Sequence, residues 1–323
     1  MTPSAGPRVG SRSFLSRLRN GDEIARIVTF LFAATTVLVT LLLVYELWQE
    51  SVLPRHKFGF HFFITRVWDP IGEQFGALPF IYGTLVTSAV GLLIAVPLGL
   101  GAAIFLAELA PQRISDTLQF FIDLLAAVPS VIYGLLGVFI VVPLMRRVIA
   151  PALKGTLGFL PVFQGPAYGI GFLTAGIVLA IMIIPYIISV SREILLAVPR
   201  DQREAALALG ATRWESTWKV VVPFARAGIM GSIFLALARA LGETIAVAMV
   251  VGNAPVISAS LFSPGYSIAA AIANELLEAT SDLHRESLVY LGLVLFLLTF
   301  ILNGAARLLI LVTTQKGSGA VQI

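Results

Sequence analysis

The uncharged stretch LPFIYGTLVTSAVGLLIAVPLGLGAAIFLA, from Leu78 to Ala107, decides the fold class of this chain. About 20 apolar residues are enough for a helix to cross the hydrocarbon core of a bilayer, and this stretch is longer. Its internal Pro97 does not argue against a helix, because neighbouring helices can satisfy the backbone groups that a proline leaves free. The stretch therefore predicts a transmembrane helix.

Apolar stretches of similar length flank this one, and together they predict six membrane-spanning helices. The chain has 323 residues, of which 58% are hydrophobic and only 12% charged, about half the ~25% of an ordinary soluble domain. Such a chain cannot cover a soluble surface with polar groups. The predicted fold class is therefore all-α, a polytopic membrane protein. The other predicted spans are Ile24–Leu47, Leu118–Met145, Tyr168–Val190, Phe224–Val251 and Ser287–Val312.

The distribution of lysine and arginine predicts the orientation of the spans. With the N-terminus in the cytoplasm, 14 basic residues fall in inside segments and 7 in outside segments, as the positive-inside rule requires. Arginines before the first span resemble the start of a signal peptide, but the run Ile24–Val44 is too long for one and lacks a small-residue cleavage site. We therefore expect an uncleaved first helix and both termini in the cytoplasm.

Composition and motifs exclude several other functions. The chain has no cysteine, which excludes disulfides, thiolate metal sites and cysteine nucleophiles. No lysine follows a glycine, so the P-loop of an ATPase is missing. His56 and His61 lie in an outside loop without a nearby pair of carboxylates and are expected to be solvated rather than metal-bound. We predict no cofactor, no enzymatic activity and no nucleic-acid partner, and we attribute the net charge of +4 to membrane orientation.

The inside loop between the fourth and fifth predicted spans carries helix signals. Asp201 followed by Glu204 predicts a capping box, and Gly210 predicts a left-handed stop. A second start signal, at 212–215, predicts another short helix that ends before the fifth span. Residues 199–223 are therefore expected to form a compact helix–glycine–helix elbow rather than a flexible linker.

Two charged residues, Arg239 and Glu243, lie deep inside the fifth predicted span. Arg239 follows Pro223 by 16 residues, about 24 Å along a helix, where a charge costs about 2.5–3.5 kcal/mol. Glu243 lies at i+4 and is predicted to pair with it on one helix face. The pair can serve as a structural staple. Because intramembrane charges usually mark a pathway and arginine is a planar donor suited to phosphate, we hypothesise an oxyanion path.

The sequence also predicts the location of Asp123 and the structure of the segment Ser267–Ala279. Asp123 is expected at the membrane interface, near the inner end of the third span. The segment Ser267–Ala279 is predicted to form a short helix with Ser267 as its cap. Such a helix either shapes an outer gate or a docking surface, or lies along the bilayer surface.

The spacing of the elbow resembles the EAA loop of ABC-importer permeases. The resemblance implies that the elbow docks on a separate ATPase subunit and transmits its closure to the spans. Two positions depart from the family pattern, with Val220 in place of isoleucine and Val222 in place of leucine. The matching residues are Glu204, Ala205, Ala206, Gly210 and Pro223.

The fifth span resembles the PstC and PstA permeases of the phosphate ABC importer. The match begins at Arg239-Ala-Leu-Gly-Glu-Thr-Ile-Ala-Val247 and includes Gly252–Phe262, and Glu73–Pro79 is closer to PstC than to PstA. It covers residues 70–312 and implies a type I, MetI-like permease fold in a prokaryotic inner membrane, with Arg239 and Glu243 moving phosphate. The implied partners are a PstA-like permease, a PstB-like ATPase dimer, a PstS-like binding protein and membrane lipid. Thr84–Ser88 and Ala127–Gly134 point the same way.

The expected organisation is a cytoplasmic tail at 1–23 and a first helix with an outer loop at 24–77. The importer domain follows at 78–314, with the EAA loop at about 193–223, and a tail at 315–323 ends the chain. One alternative is a permease for sulfate or molybdate in the same type of importer. An ion-coupled secondary transporter is a second, against which the EAA-like loop argues. A membrane-embedded enzyme is a third, for which the sequence shows no catalytic constellation.

Overall fold

The computed structural model describes residues 22–318, and within that range its only β-structure is two isolated bridges. Six of the described helices are long and apolar enough to cross a membrane, namely those that begin at Asp22, Leu78, Ser130, Phe172, Arg213 and Asp282. The predicted all-α class and the predicted number of spans are therefore confirmed. The tail residues 1–21 and 319–323 lie outside the described range. The helices are α1 (Asp22–Gln49), α2 (Val52–Phe58), α3 (His61–Ile64), α4 (Leu78–Leu109), α5 (Gln112–Ala126), α6 (Ser130–Leu157), α7 (Phe172–Leu196), α8 (Arg200–Ala208), α9 (Arg213–Gly242), α10 (Ile245–Val250), α11 (Ile268–Glu275) and α12 (Asp282–Ser318).

Residues up to Glu50 form a unit of their own, in which α1 is the described element. Within this helix the hydroxyls of four threonines donate to carbonyls one turn earlier, for example Thr36 to Phe32 at 3.1 Å. A hydroxyl that is satisfied within its own helix adds little cost in lipid. The polar residues of α1 are therefore compatible with a membrane span.

Residues from Ser51 onward form the second unit, which is organised around α7. Leu179, Ile183 and Ile187 of this helix are fully buried. Helix α4 crosses α7 where Gly91 meets Gly176, and a Cβ atom on Gly176 would collide with Val90 of α4. Small residues at such crossings allow membrane helices to approach closely. The side of this unit that holds α8 is called the elbow side below.

The third span differs from its prediction because the chain breaks inside the expected range Leu118–Met145. Helix α5 ends at Ala126, and α6 begins after Pro129, whose backbone is extended with φ −58° and ψ 141°. Proline has no N–H to donate, and it disfavours helical conformation in the residue before it. Pro97 and Pro185 lie inside continuous helices, as predicted.

The fifth span also differs from its prediction, Phe224–Val251, at both ends. Helix α9 begins at Arg213, so the second helix of the elbow does not stop before Pro223 but runs on into the span. A π-turn at Thr217–Val221 accommodates the proline, with the Val222 N–H bonded to the Thr217 carbonyl. At the other end α9 stops at Gly242, because Glu243 is extended with ψ 125°.

The short helix predicted at Ser267–Ala279 forms as α11 and ends four residues early. Its cap is confirmed, since the Ser267 hydroxyl accepts the N–H of Ala270 at 3.3 Å. Its first four side chains are buried, and Ile268 lies in a cluster with Phe80 and Leu288. Helix α11 is therefore part of the protein interior rather than a helix lying along the bilayer surface.

Candidate functional site

The guanidinium of Arg239 lies against an aromatic ring near the end of α9. Its Cζ atom is 4.1 Å from the centroid of the Tyr186 ring on α7, a distance at which the ring face attracts a cation. Its buried Nε makes no hydrogen bond, and among the described residues Arg239 has no ion pair. A half-buried cation without a counter-ion is costly, and an incoming anion would relieve that cost.

Glu243 does not pair with Arg239, and this part of the sequence prediction is wrong. A carboxylate oxygen of Glu243 accepts the N–H of Ala246 at 3.1 Å, at the start of α10. The physical reason is the break after Gly242, which ends the helix on which i and i+4 would share a face. Arg239 and Glu243 therefore lie on opposite sides of the helix break and have different partners.

The two helix breaks meet in one region of the bundle. The hydroxyls of Tyr133 and Tyr186 donate to the carbonyls of Leu125 and Ala126, at 2.6 and 3.0 Å. Those carbonyls belong to the last turn of α5. Pro129 cannot donate the N–H that would continue the helix to the Leu125 carbonyl, which accepts the Val128 N–H at 3.1 Å instead. On the other side, Gly134 of α6 packs against Ala246 and Met249 of α10. Non-helical backbone at membrane depth is tolerated where it is buried in protein or lines a cavity, as in transporters whose broken helices face the substrate.

A polar cluster lies on the elbow side of Tyr186. The amide nitrogen of Gln119 donates to the Asp123 carboxylate at 2.7 Å and to the Ser189 hydroxyl at 2.8 Å. The Ser189 hydroxyl donates to the same carboxylate oxygen at 2.8 Å. The carbonyl oxygen of Gln119 is buried and has no partner among the described residues. Asp123, predicted at the membrane interface, is thus a member of a cluster between α5 and α7.

The elbow forms with one of its two predicted caps. Pro199 precedes α8 without a side-chain cap, so the capping box of Asp201 and Glu204 is wrong. The second capping box is present, because Thr212 and Glu215 exchange hydrogen bonds between side chain and backbone. Gly210 adopts the expected left-handed conformation, with φ +87°.

The structure places most of the elbow residues on an exposed surface. Glu204, Ala205, Gly210 and Pro223 are exposed, whereas Ala206 is buried. Large apolar side chains lie exposed on the same segment, with Leu209 90% exposed, and the rings of Trp214 and Trp218 are in edge contact at 5.5 Å. Exposed apolar side chains grouped in this way are typical of an interaction site.

An ion pair that the sequence did not reveal fixes the elbow to the bundle. Arg203 of α8 binds the carboxylate of Glu108, at the end of α4, through two nitrogens, with the shortest contact at 2.8 Å. The same guanidinium donates to the carbonyls of Leu195 and Val198 at the end of α7. The Glu108 side chain is only 9% exposed, so solvent screens this pair weakly.

We expect the substitution Glu108→Gln to loosen α8. The neutral amide cannot replace the charge-assisted contacts to Arg203, a loss of about 2 kcal/mol in local stability that corresponds to a roughly 30-fold change in the opening equilibrium. Hydrogen exchange of the α8 amides in the purified protein measures this opening. Lys219→Gln is the matched control, because it removes the exposed ion pair with Glu215, which contributes little. Unchanged exchange in Glu108→Gln would exclude the ion pair as an anchor of the elbow.

Comparison with known proteins identifies the family. The model of the binding-protein-dependent transport system inner membrane component family matches residues 95–310. The phosphate transport system permease protein PstC of Mesorhizobium japonicum is 46% identical over 292 residues, 87% of this chain and 89% of that protein. The PstC protein of Pasteurella multocida is 50% identical over 263 residues, 80% of this chain and 82% of that protein.

A solved structure supports the same fold. A chain of the inward-facing MetNI methionine ABC transporter matches with a TM-score of 0.55 at 17% identity, covering 76% of this chain and 98% of that chain. The predicted MetI-like fold is thus confirmed, and with it a multi-pass membrane protein. This chain therefore belongs to the family of binding-protein-dependent transport system inner membrane components, and its relatives within that family are PstC proteins.

Proposed function

We propose that this chain is the transmembrane permease subunit of an ATP-driven phosphate importer. The observation that carries the proposal is the Arg239 guanidinium, which is held on the Tyr186 ring without a protein counter-ion among the described residues. An arginine in this state binds an oxyanion through fork-shaped hydrogen bonds. The names of the relatives, phosphate transport system permease protein PstC, supply the substrate.

In this proposal Arg239 and Glu243 both line the substrate path. Arg239 binds the anion directly. Glu243 fixes the start of α10 through the Ala246 N–H, which keeps the backbone break open beside the guanidinium. A single arginine cannot neutralise a dianion, so the second permease contributes further basic groups at the subunit interface.

The elbow is proposed as the docking site for the ATPase. Glu204, Ala205, Ala206, Gly210 and Pro223 form the matching loop, and the exposed apolar side chains beside them offer area for contact. The Arg203–Glu108 ion pair would pass the movement of α8 to α4. The importer then comprises this chain, a PstA-like permease, two PstB-like ATPase subunits and a PstS-like extracytoplasmic binding protein.

The proposal also includes an orientation of the chain in a prokaryotic inner membrane. Both termini lie in the cytoplasm, so that the elbow faces the ATPase and the loop between α10 and α11 faces the binding protein. Residues 1–23 and 315–323 form tails, 24–77 the first helix with its outer loop, and 78–314 the importer domain with its EAA loop at about 193–223. The inside excess of basic residues supports this orientation.

Phosphate uptake by the reconstituted importer tests the proposed function. With ATP inside proteoliposomes and binding protein outside, we expect labelled phosphate to accumulate and excess sulfate or molybdate to leave most of the uptake intact. The Glu243 carboxylate can accept a hydrogen bond from the protonated oxygen of phosphate, and the fully ionised competitors cannot donate one. Equal competition would favour another oxyanion as substrate. Uptake that persists without ATP but stops when ion gradients collapse would favour a secondary transporter.

A further inference from the structure

Two of the buried polar atoms that lack a partner have opposite hydrogen-bonding character, and the residues that carry them contact the same helix, α7. One is the Nε of Arg239, which can only donate, and the other is the carbonyl oxygen of Gln119, which can only accept. Tyr186, which contacts Arg239, and Ser189, which contacts Gln119, are both on α7. Their three-residue separation is about 4.5 Å along a helix. The side chains that contact the residues with the unsatisfied donor and the unsatisfied acceptor are therefore about one helical turn apart on α7.

The direction of the Arg239 side chain favours an encounter between them. Side chains on a helix are tilted toward its N-terminus, and α9 begins on the elbow side at Arg213. Ser189 lies on the elbow side of Tyr186, because α7 ends there at Leu196. Arg239 therefore extends from its Cα toward the cluster of Gln119, Asp123 and Ser189 rather than away from it.

The charge of the cluster is opposite to that of Arg239. One carboxylate oxygen of Asp123 accepts from Gln119 and Ser189, and the other accepts no hydrogen bond from the part of the chain that the structure describes. A carboxylate with a free oxygen beside an unpaired amide oxygen is a set of acceptors suited to a guanidinium. Glu243, the carboxylate that the sequence assigned to Arg239, is bonded elsewhere.

We infer that Asp123 is the second counter-ion of Arg239, to which the guanidinium moves when the transported anion leaves. This rests on the proposed function, because it gives Arg239 two positions, one on the substrate and one on Asp123. The exchange needs only the side chain to move about one turn along α7. In the second position the carboxylate neutralises Arg239, so an anion returning from the elbow side meets no free cation. Asp123 is thus a positioning residue for release rather than a substrate ligand.

Inhibition by internal phosphate distinguishes this role from a structural one. The complete importer is reconstituted in proteoliposomes with ATP inside, and initial uptake of labelled phosphate is measured at increasing internal unlabelled phosphate. We expect Asp123→Asn to lower the half-inhibitory internal concentration about tenfold, within the usual range for coupled sites, because Arg239 stays available to the returning anion. Asp123→Glu, which keeps the charge, should restore the wild-type value.

Asp116→Asn is the matched control, since it removes a 61% exposed carboxylate seven residues earlier on α5, and its partner Arg192 keeps an ion pair with Glu193 at 3.7 Å. Its half-inhibitory concentration should match that of the wild type. If Asp123→Asn does not assemble, Asp123→Ser removes the same charge and keeps a hydroxyl for Gln119. Equal half-inhibitory concentrations in the charge-free variant and in Asp116→Asn would overturn the inference while leaving phosphate transport intact. No phosphate uptake by the wild-type importer would instead overturn the proposed function.

Discussion

The substitution Arg239→Gln is expected to abolish phosphate uptake while the importer remains inserted and assembled. Glutamine keeps a polar group on a shorter side chain but loses the charge and the fork of donors. Losing about 3 kcal/mol of charge-assisted hydrogen bonding at the site lowers occupancy roughly hundredfold. Assembly should survive, because Arg239 makes no ion pair with any described residue and contacts the Tyr186 ring through its π face. Uptake of labelled phosphate by the reconstituted complex measures the effect.

Two further variants separate charge from geometry. Arg113→Gln makes the same chemical change at an exposed position on α5 and should leave uptake close to the wild-type rate. Arg239→Lys keeps the charge but cannot bind an anion through two parallel donors, so we expect it to retain a small part of the activity. Normal uptake in Arg239→Gln would remove this residue from the path and leave only a generic permease.

The spans were predictable because the bilayer sets their length. In a chain with 12% charged residues, six apolar runs of about 20 residues or more predict six membrane spans. Gly210 and the capping box of Thr212 and Glu215 were predictable for a different reason. Both depend on the backbone conformation of a few neighbouring residues, and no distant contact is needed to produce them.

The breaks in the third and fifth spans were not predictable from local sequence. Pro129 resembles Pro97 and Pro185, yet only Pro129 ends a helix. The difference is tertiary, because Tyr133 and Tyr186 accommodate the carbonyls that the break exposes. Glu243 has no proline after it, and its extended backbone is stabilised by its own bond to the Ala246 N–H. The i,i+4 rule failed there because it assumes a continuous helix.

The other interactions that the sequence did not predict join residues that are far apart in the chain. Arg203 and Glu108 are 95 residues apart, and the only sequence signal was a carboxylate at the end of an apolar run. His284 is similar: its Nε2 lies 3.1 Å from the Glu275 carboxylate, which also accepts the Trp68 indole N–H at 2.9 Å. No sequence period or motif indicates either pairing, so the residues are brought together only in the folded structure.

The substitution Gly210→Pro is expected to uncouple ATP hydrolysis from transport. Proline locks φ near −65°, whereas Gly210 has φ +87° and donates its N–H to the Leu207 carbonyl at 3.0 Å. The variant therefore cannot keep the corner between α8 and α9, and α8 no longer moves with the span as one rigid body. We expect phosphate uptake per ATP hydrolysed to fall at least about tenfold, the equivalent of about 1.4 kcal/mol of lost coupling.

A series at the same position shows whether backbone conformation is the cause. Beyond its chain neighbours, a Cβ atom on Gly210 would have no other atom of the described chain within 4 Å. Within this chain, any effect of Gly210→Ala therefore comes from its left-handed conformation, about 1–2 kcal/mol. Gly210→Asn should stay close to wild type, because asparagine tolerates this conformation. The expected order of coupling is therefore glycine, asparagine, alanine and proline, with substrate affinity unchanged throughout because Gly210 does not touch the path. Full coupling in Gly210→Pro would refute the elbow as a rigid link, whereas loss in Gly210→Asn as large as in Gly210→Pro would point to side-chain contact with the ATPase instead.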